Sequence, residues 1–178
     1  MPTFLFPMRK LKTSELNRLS VNEFKDKPKH KVIVVLDNVR SLYNVGSIFR
    51  TSDAFSIESI YLCGITGTPP HKEIRKTAIG AEQSVDWKYF ESTQQAVDLL
   101  KLNNYQLVAI EQTSASIPLE KETIVQQPIA LVFGNEVNGV GLDIIKQCML
   151  CVEIPQFGTK HSFNVSVSVA LVLWELLR

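Results

Sequence analysis

The chain has 178 residues, of which 45% are hydrophobic and 21% are charged, a composition that fits one globular domain and argues against extensive disorder. The formal net charge of +1 excludes a uniformly basic protein, but residues 1–31 hold eight basic and three acidic residues, a net +5, against −4 for residues 32–178. We therefore predict a basic N-terminal arm over residues 1–31 that is able to approach phosphates, with a merely solvated leader as the alternative.

Neither a membrane span nor a signal peptide is expected. No apolar run reaches the roughly 20 residues that cross a bilayer. The opening MPTFLFPM is broken by two prolines and has no basic residues before its apolar patch. Without a secretory signal, the three cysteines (Cys63, Cys148 and Cys151) indicate reduced thiols in a cytoplasmic protein.

The elements predicted along the chain alternate between strands and helices. Residues 8–25 are compatible with a helix anchored by Leu11, Leu16, Leu19 and Phe24. Continuous or β-branched apolar runs predict strands at Val32–Asp37, Ser59–Cys63, Val85–Phe90, Gln106–Ile110, Ile129–Phe133 and Leu150–Ile154. Helices are predicted at Val45–Phe55, Thr93–Asn103 and Leu142–Gln147. This alternation predicts an α/β fold with a mainly parallel sheet flanked by helices.

The last stretch, residues 164–177, gives a conflicting signal. Val165, Val167 and Val169 alternate with polar residues, which is typical of a half-buried strand, whereas the apolar run to Leu177 has helical length. We predict a helix. Its apolar residues then lie all round the axis, so it needs cover on more than one side, which a second subunit could supply.

In a parallel sheet, ligands bind in the loops at the carboxyl ends of the strands. The first such loop, Asn38–Arg50, carries N-x-G-x-x-x-R-T, with Asn44, Gly46, Arg50 and Thr51 at the motif positions. Asn44 suits a helix N-cap, which would put Arg50 roughly 9 Å further along the helix. The alternative is that Asn44 is only a cap and Arg50 only a surface charge.

The second loop, Gly134–Gly141, contains three glycines and one acidic residue. Gly134 permits close approach of the backbone to a ligand, and Gly139 and Gly141 permit a tight turn before a helix. Glu136 is placed to orient a cation or to favour a helix N-terminus. The loop lacks both the phosphate-loop and the dinucleotide-binding signatures.

The third loop, Gln156–Asn164, carries Ser162 and Asn164, which are able to hydrogen-bond a ligand or the end of a helix. A hydrolase triad is disfavoured because His161 is adjacent to Ser162 and no nucleophile elbow is present. Cys148 and Cys151 form C-x-x-C but run into an apolar strand, which disfavours a redox pair, and the scattered histidines disfavour a metal site.

Together and in this order, the segments NVGSIFRT, LVFGNEVNGVG and IPQFGTKHSFNVSVSVALVLWE resemble the SpoU/TrmH family of the SPOUT superfamily, RNA ribose 2′-O-methyltransferases that use S-adenosylmethionine. The resemblance covers about Val32–Leu177. It implies a methyltransferase domain over residues 32–178, a C-terminal trefoil knot at about 131–178, which is rare among folds, and a homodimer.

The resemblance also implies site residues. The catalytic positions fall on Arg50, Asn44, Glu136, Ser162 and Asn164, and contacts to S-adenosylmethionine fall on Gly134, Ile154, Ser162 and Phe163. The expected substrate is structured RNA, with tRNA favoured over rRNA because residues 1–31 are too few for a separate RNA-binding domain. An inactive RNA-binding protein of the same fold, or a different nucleotide-using α/β enzyme, are the competing hypotheses.

Overall fold

The computed structural model describes residues 8–120 and 128–178. Within these ranges the strands are β1 His30–Asp37, β2 Ile57–Cys63, β3 Asp86–Phe90, β4 Gln106–Ile110, β5 Ile117–Pro118, β6 Ile129–Phe133 and β7 Leu150–Glu153. The α-helices are α1 Val21–Asp26, α2 Leu42–Ala54, α3 Lys72–Ala78, α4 Ala81–Ser84, α5 Thr93–Leu102, α6 Leu142–Ile145 and α7 Val165–Leu177, and a 3-10 turn covers Thr13–Glu15.

The strands form one sheet in the order β3-β2-β1-β6-β4-β7-β5, and every pairing between them is parallel. The predicted α/β fold with a mainly parallel sheet is therefore confirmed. Leu36 is in register with Phe133, which pairs in turn with Ile110, and Ile110 pairs with Val152. The carboxyl ends of β1, β6, β4 and β7 consequently lie at one edge of the sheet.

Both faces of the central strands are covered. In β1, Val32, Val34 and Leu36 belong to the core cluster that includes residues of α2 and α7, whereas Ile33 and Val35 belong to the cluster that includes residues of α5 and α6. This two-sided burial is the reason for the continuous β-branched run, because a strand covered on both faces has no polar side.

The N-terminal segment is less helical than the sequence suggests. Its one α-helix in the described part is α1, which begins after the capping box formed by Ser20 and Glu23. Of the four expected anchors only Phe24 is buried, while Leu11, Leu16 and Leu19 are exposed. The predicted helix over residues 8–25 is therefore wrong for most of its length.

Helix α7 resolves the conflicting signal in favour of a helix. Asn164 is its N-cap, with the side-chain oxygen accepting from the Ser166 amide at 2.9 Å. The residues on its inner face are fully or almost fully buried. The outer face leaves Val167, Leu171 and Trp174 exposed at helical spacing, an apolar stripe on the surface of the single chain.

No helix in the described part of the chain combines the length and the apolarity needed to cross a membrane.

Candidate active site

A cavity of about 560 Å³ lies at the carboxyl ends of β4, β6 and β7, lined by their last residues or those just after them, including Ile110, Phe133 and Glu153. The second and third loops complete its wall. All four residues expected to contact the donor (Gly134, Ile154, Ser162 and Phe163) line this cavity, together with Glu136 and Asn164. The structure thus brings six predicted positions to one cavity.

Hydrogen bonds join the first loop to the other two. The Glu136 carboxylate accepts from the backbone amides of Arg40 and Ser41, both at 3.2 Å, and from the Asn44 side-chain amide at 3.0 Å. The Asn44 side-chain oxygen in turn accepts from the Asn164 amide at 3.1 Å. One polar network therefore holds all three motif-bearing loops together beside the cavity.

The N-cap of α2 is Ser41, not Asn44 as predicted. The Ser41 hydroxyl accepts from the Asn44 backbone amide at 3.3 Å, so Asn44 lies in the first turn. This arrangement frees the Asn44 side chain to bridge Glu136 and Asn164. The Glu136 carboxylate meanwhile satisfies amide groups at the helix N-terminus, which is one of the two roles predicted for it.

Glu136 is held in its charged form by this environment. Burial alone would raise the pKa of its carboxyl, but hydrogen bonds from backbone amides, its own and that of Arg40 among them, and from the Asn44 side chain hold the pKa below its usual value. The carboxylate is an acceptor at neutral pH, so it positions its donors in the network.

Gly134 is required by the close packing of its own loop. A Cβ at Gly134 would lie 1.9 Å from the Gly139 carbonyl carbon and 2.1 Å from the Val140 nitrogen. The backbone of its own loop therefore leaves no room for a side chain at this position, and the predicted approach of a ligand to Gly134 stays a prediction. Gly139 has a φ of 66°, and its amide and carbonyl both bond to Asn135, so the tight turn expected at Gly139 is present.

Two carboxylates that were not among the predicted site residues accept hydrogen bonds from backbone amides of this loop. Asp37, which is buried, accepts from the Gly141 amide at 2.9 Å and from the Thr93 hydroxyl at 2.5 Å. Glu111 accepts from the Val140 amide at 2.9 Å and also lines the cavity. Asp37 ends β1 and Glu111 directly follows β4, and this position at the carboxyl ends of strands could have marked both as site residues.

Ser162 and Asn164 differ in whether their side chains already have hydrogen-bond partners. Asn164 uses its oxygen to cap α7 and its amide to contact Asn44. Ser162 is exposed and lines the cavity, and no hydrogen bond within residues 8–120 and 128–178 engages its hydroxyl. Ser162 is thus available to a ligand.

Arg50 is not brought to the cavity. It lies on α2, is exposed, and its guanidinium forms no hydrogen bond or ion pair with the described residues. Its predicted catalytic role stays a prediction.

The cysteines are protonated structural thiols. Burial raises the pKa of Cys148 to about 11 and also raises the pKa of Cys151. All three cysteines are free, and the thiols of Cys148 and Cys151 donate to different carbonyls, those of Ile144 and Glu111. Because the thiolate is the reactive form, these features argue against a redox pair. Among the described residues, no group of three or more histidine, cysteine, aspartate or glutamate side chains could hold a metal ion.

A model of the SpoU rRNA Methylase family matches residues 31–174. The chain belongs to this family. The resemblance found in the three motifs is thereby confirmed, and the matched range contains all three motif-bearing loops.

The chain is similar to several named proteins. It is 29% identical to the tRNA (guanosine(18)-2′-O)-methyltransferase of Borreliella burgdorferi, over 80% of this chain and 64% of that protein. It is 30% identical to the protein of the same name from Aquifex aeolicus, over 89% of this chain and 74% of that protein. The chain spans less than two thirds of the length of several of the curated relatives that it matches.

Solved structures share the fold. The A. aeolicus TrmH/SpoU tRNA modifying enzyme superposes with a TM-score of 0.76 at 27% identity, over 87% of this chain and 78% of that one. An rRNA methyltransferase from Sinorhizobium meliloti with bound AdoMet superposes with a TM-score of 0.75 at 26% identity, over 85% of this chain and 58% of that one.

Proposed function

We propose that this chain transfers a methyl group from S-adenosylmethionine to a ribose 2′-hydroxyl of structured RNA, with tRNA favoured over rRNA. The observation that carries the proposal is the network of Glu136, Asn44 and Asn164, which joins the three motif loops beside one cavity. The names of the Borreliella and Aquifex relatives support the tRNA substrate and the 2′-O position.

The cavity suits S-adenosylmethionine in size and chemistry. Its volume of about 560 Å³ falls within the range of small-molecule sites. Ile154, Phe163 and Phe133 supply apolar surface for an adenine ring, while the loop backbone and the Ser162 hydroxyl supply polar contacts. The similar S. meliloti structure with bound AdoMet supports the same donor here. When bound, the donor supplies an electrophilic methyl group.

The protein must then hold the ribose hydroxyl in line with that methyl group and help to remove a weakly acidic proton. An arginine stays protonated in proteins. We therefore assign Arg50 the binding of an RNA phosphate and the stabilisation of charge on the attacking oxygen, and not the role of general base. Its exposure on α2 and its freedom from ion pairs with the described residues support this assignment.

We also propose a homodimer. The exposed stripe of Val167, Leu171 and Trp174 lies on a helix that begins at the cavity, and a second copy of the chain would cover it. We further propose that residues 32–178 form the methyltransferase domain, with a trefoil knot at about 131–178, and that residues 1–31 form a basic arm. The family membership supports the knot.

Two measurements test the function. Calorimetry with S-adenosylmethionine tests donor binding, and transfer of a labelled methyl group to unmodified tRNA or rRNA, followed by nucleoside analysis, tests the reaction and the substrate. We expect saturable donor binding and a 2′-O-methylated nucleoside in tRNA. RNA binding without methyl transfer would favour the inactive RNA-binding protein, and failure to bind the donor would refute the proposal.

A further inference from the structure

A second groove of about 630 Å³ lies apart from the cavity, between α3, α4 and β3. Its lining includes Pro70, Lys72, Arg75, Lys76, Glu82 and Trp87. None of these residues belongs to the three motif loops, so the donor site does not account for them.

The groove carries positive charge along one face of α3. Lys72, Arg75 and Lys76 have the spacing i, i+3 and i+4, which places them on the same side of the helix. All three are exposed, and none is in an ion pair with another described residue. The opposite face of α3 is buried through Ile74 and Ala78. Cations presented in this way match the phosphates of a nucleic acid.

An aromatic ring lies in the same groove. Trp87 on β3 is half-buried and lines the groove, and the exposed Pro70 lines it as well. Unpaired bases stack on such aromatic side chains, and the stacking energy is largely independent of sequence. A groove with cations and a tryptophan therefore fits a nucleotide better than it fits an apolar ligand or an isolated anion.

Glu82 supplies an unsatisfied acceptor. Its Oε2 atom is buried, and no donor among the described residues bonds to it. A buried acceptor without a partner is unfavourable, so a ligand that offers an N–H group would gain a hydrogen bond there. The edge of an unpaired nucleobase carries such groups.

Helix α3, which carries the cations of the groove, contacts the helix that carries Asn44. The Thr77 hydroxyl of α3 donates to the Tyr43 carbonyl at 2.9 Å, next to Asn44 of the active-site network. Lys76 Nζ lies 6.0 Å from the centroid of the Tyr43 ring. Since α3 packs on α2, the cations of the groove and the active-site network lie on neighbouring helices.

We propose that this groove binds an unpaired nucleotide of the RNA substrate. The base stacks on Trp87 and donates an N–H hydrogen bond to the Glu82 carboxylate, while Lys72, Arg75 and Lys76 hold the flanking phosphates. The proposal rests on the RNA substrate assigned under the proposed function. It adds a second RNA contact that is distinct from the reacting ribose.

Tryptophan fluorescence measures binding to the groove directly. The chain has two tryptophans, so a Trp174→Phe background leaves Trp87 as the only indole. Titration with short single-stranded RNA of mixed sequence should quench this fluorescence. In a background that keeps Trp174, Trp87→Ala should weaken RNA binding about tenfold, and Trp87→Phe should retain most of the affinity. Binding of a mononucleotide as tight as that of the oligonucleotide would overturn the assignment to RNA.

The lysines are tested through salt dependence. Lys72→Ala and Lys76→Ala should each make the slope of log affinity against log salt shallower by about 0.7, the value for one lost phosphate contact on a single strand. Lys88→Ala is the matched control, because this exposed lysine lies on β3 next to Trp87 but does not line the groove. Equal slopes for the groove variants and the control would overturn the proposal.

Methyl-transfer kinetics separate this proposal from the proposed function. The groove variants should raise the KM for RNA and leave the affinity for S-adenosylmethionine unchanged. A wild-type enzyme that methylates RNA, with groove variants of unchanged KM and no quenching of Trp87, would overturn the groove proposal alone. A wild-type chain that does not methylate RNA would refute the proposed function, whatever the quenching shows.

Discussion

Replacement of Gly134 by alanine should distort the second loop, which lines the cavity proposed to bind S-adenosylmethionine. The added Cβ would lie 1.9 Å from the Gly139 carbonyl carbon and 2.1 Å from the Val140 nitrogen, where ordinary contacts begin at 3.4 Å. The obstructing atoms are backbone, so no side-chain rotation relieves the overlap. The two backbone segments must separate by about 1.5 Å, the difference between the ordinary contact distance of 3.4 Å and the 1.9 Å distance to the Gly139 carbonyl carbon. Overpacking of this kind costs about 3 kcal/mol, at the upper end of the usual range.

Urea denaturation and calorimetry with S-adenosylmethionine measure the two consequences of Gly134→Ala. We expect a loss of about 3 kcal/mol in the free energy of unfolding, and a loss of donor affinity of at least tenfold because the second loop lines the cavity. Gly158→Ala is the matched control, since a Cβ there meets nothing within 4 Å. If Gly134→Ala matched Gly158→Ala in both measurements, the explanation of this glycine would be refuted.

Three further predictions concern single side chains. Arg50→Ala should reduce methyl transfer by at least about 100-fold, the effect of removing one charge-stabilising group, with unchanged donor affinity in calorimetry, and a parallel loss of donor affinity would contradict the role assigned to Arg50. The folded-state pKa of Glu136 is lowered, so its charged form stabilises the protein above the unfolded-state pKa, and this contribution is lost as the pH falls through the folded-state pKa. The stability difference between wild type and Glu136→Gln in urea denaturation should thus be full at neutral pH and shrink below about pH 4, and a difference independent of pH would contradict it. Trp174→Lys should shift the sedimentation coefficient from dimer to monomer, and an unchanged dimer would show that the stripe on α7 is not the interface.

The sheet was predictable because each of its longer strands has a local sequence pattern that indicates a strand. Val32–Asp37 and Ile129–Phe133 are apolar runs whose composition follows from two-sided burial, and both lie in the observed strands. Helix α3 was not predicted as a helix, because it is mostly charged and buries only two residues against α2. The two-residue β5 is too short to give a pattern and depends on its pairing with β7.

The loops that form the site were predictable, but their contacts were not. Glu136 and Asn44 are 92 residues apart in the chain, and Asn164 and Asn44 are 120 apart, so no local pattern connects them. The choice of Ser41 over Asn44 as the N-cap of α2 also depends on tertiary structure. Both residue types suit a cap, and the distant Glu136 determines which side chain is free to bridge the loops.

Mapping of 2′-O-methylated nucleosides in RNA decides whether this chain acts as an RNA 2′-O-methyltransferase. The measurement compares RNA from a strain that lacks the gene with RNA from the same strain complemented by the wild-type gene or by the Arg50→Ala variant. We expect at least one 2′-O-methylated position in tRNA to disappear in the deletion strain, to return with the wild-type gene and to stay absent with the variant. An identical set of 2′-O-methylated positions in all strains would contradict it.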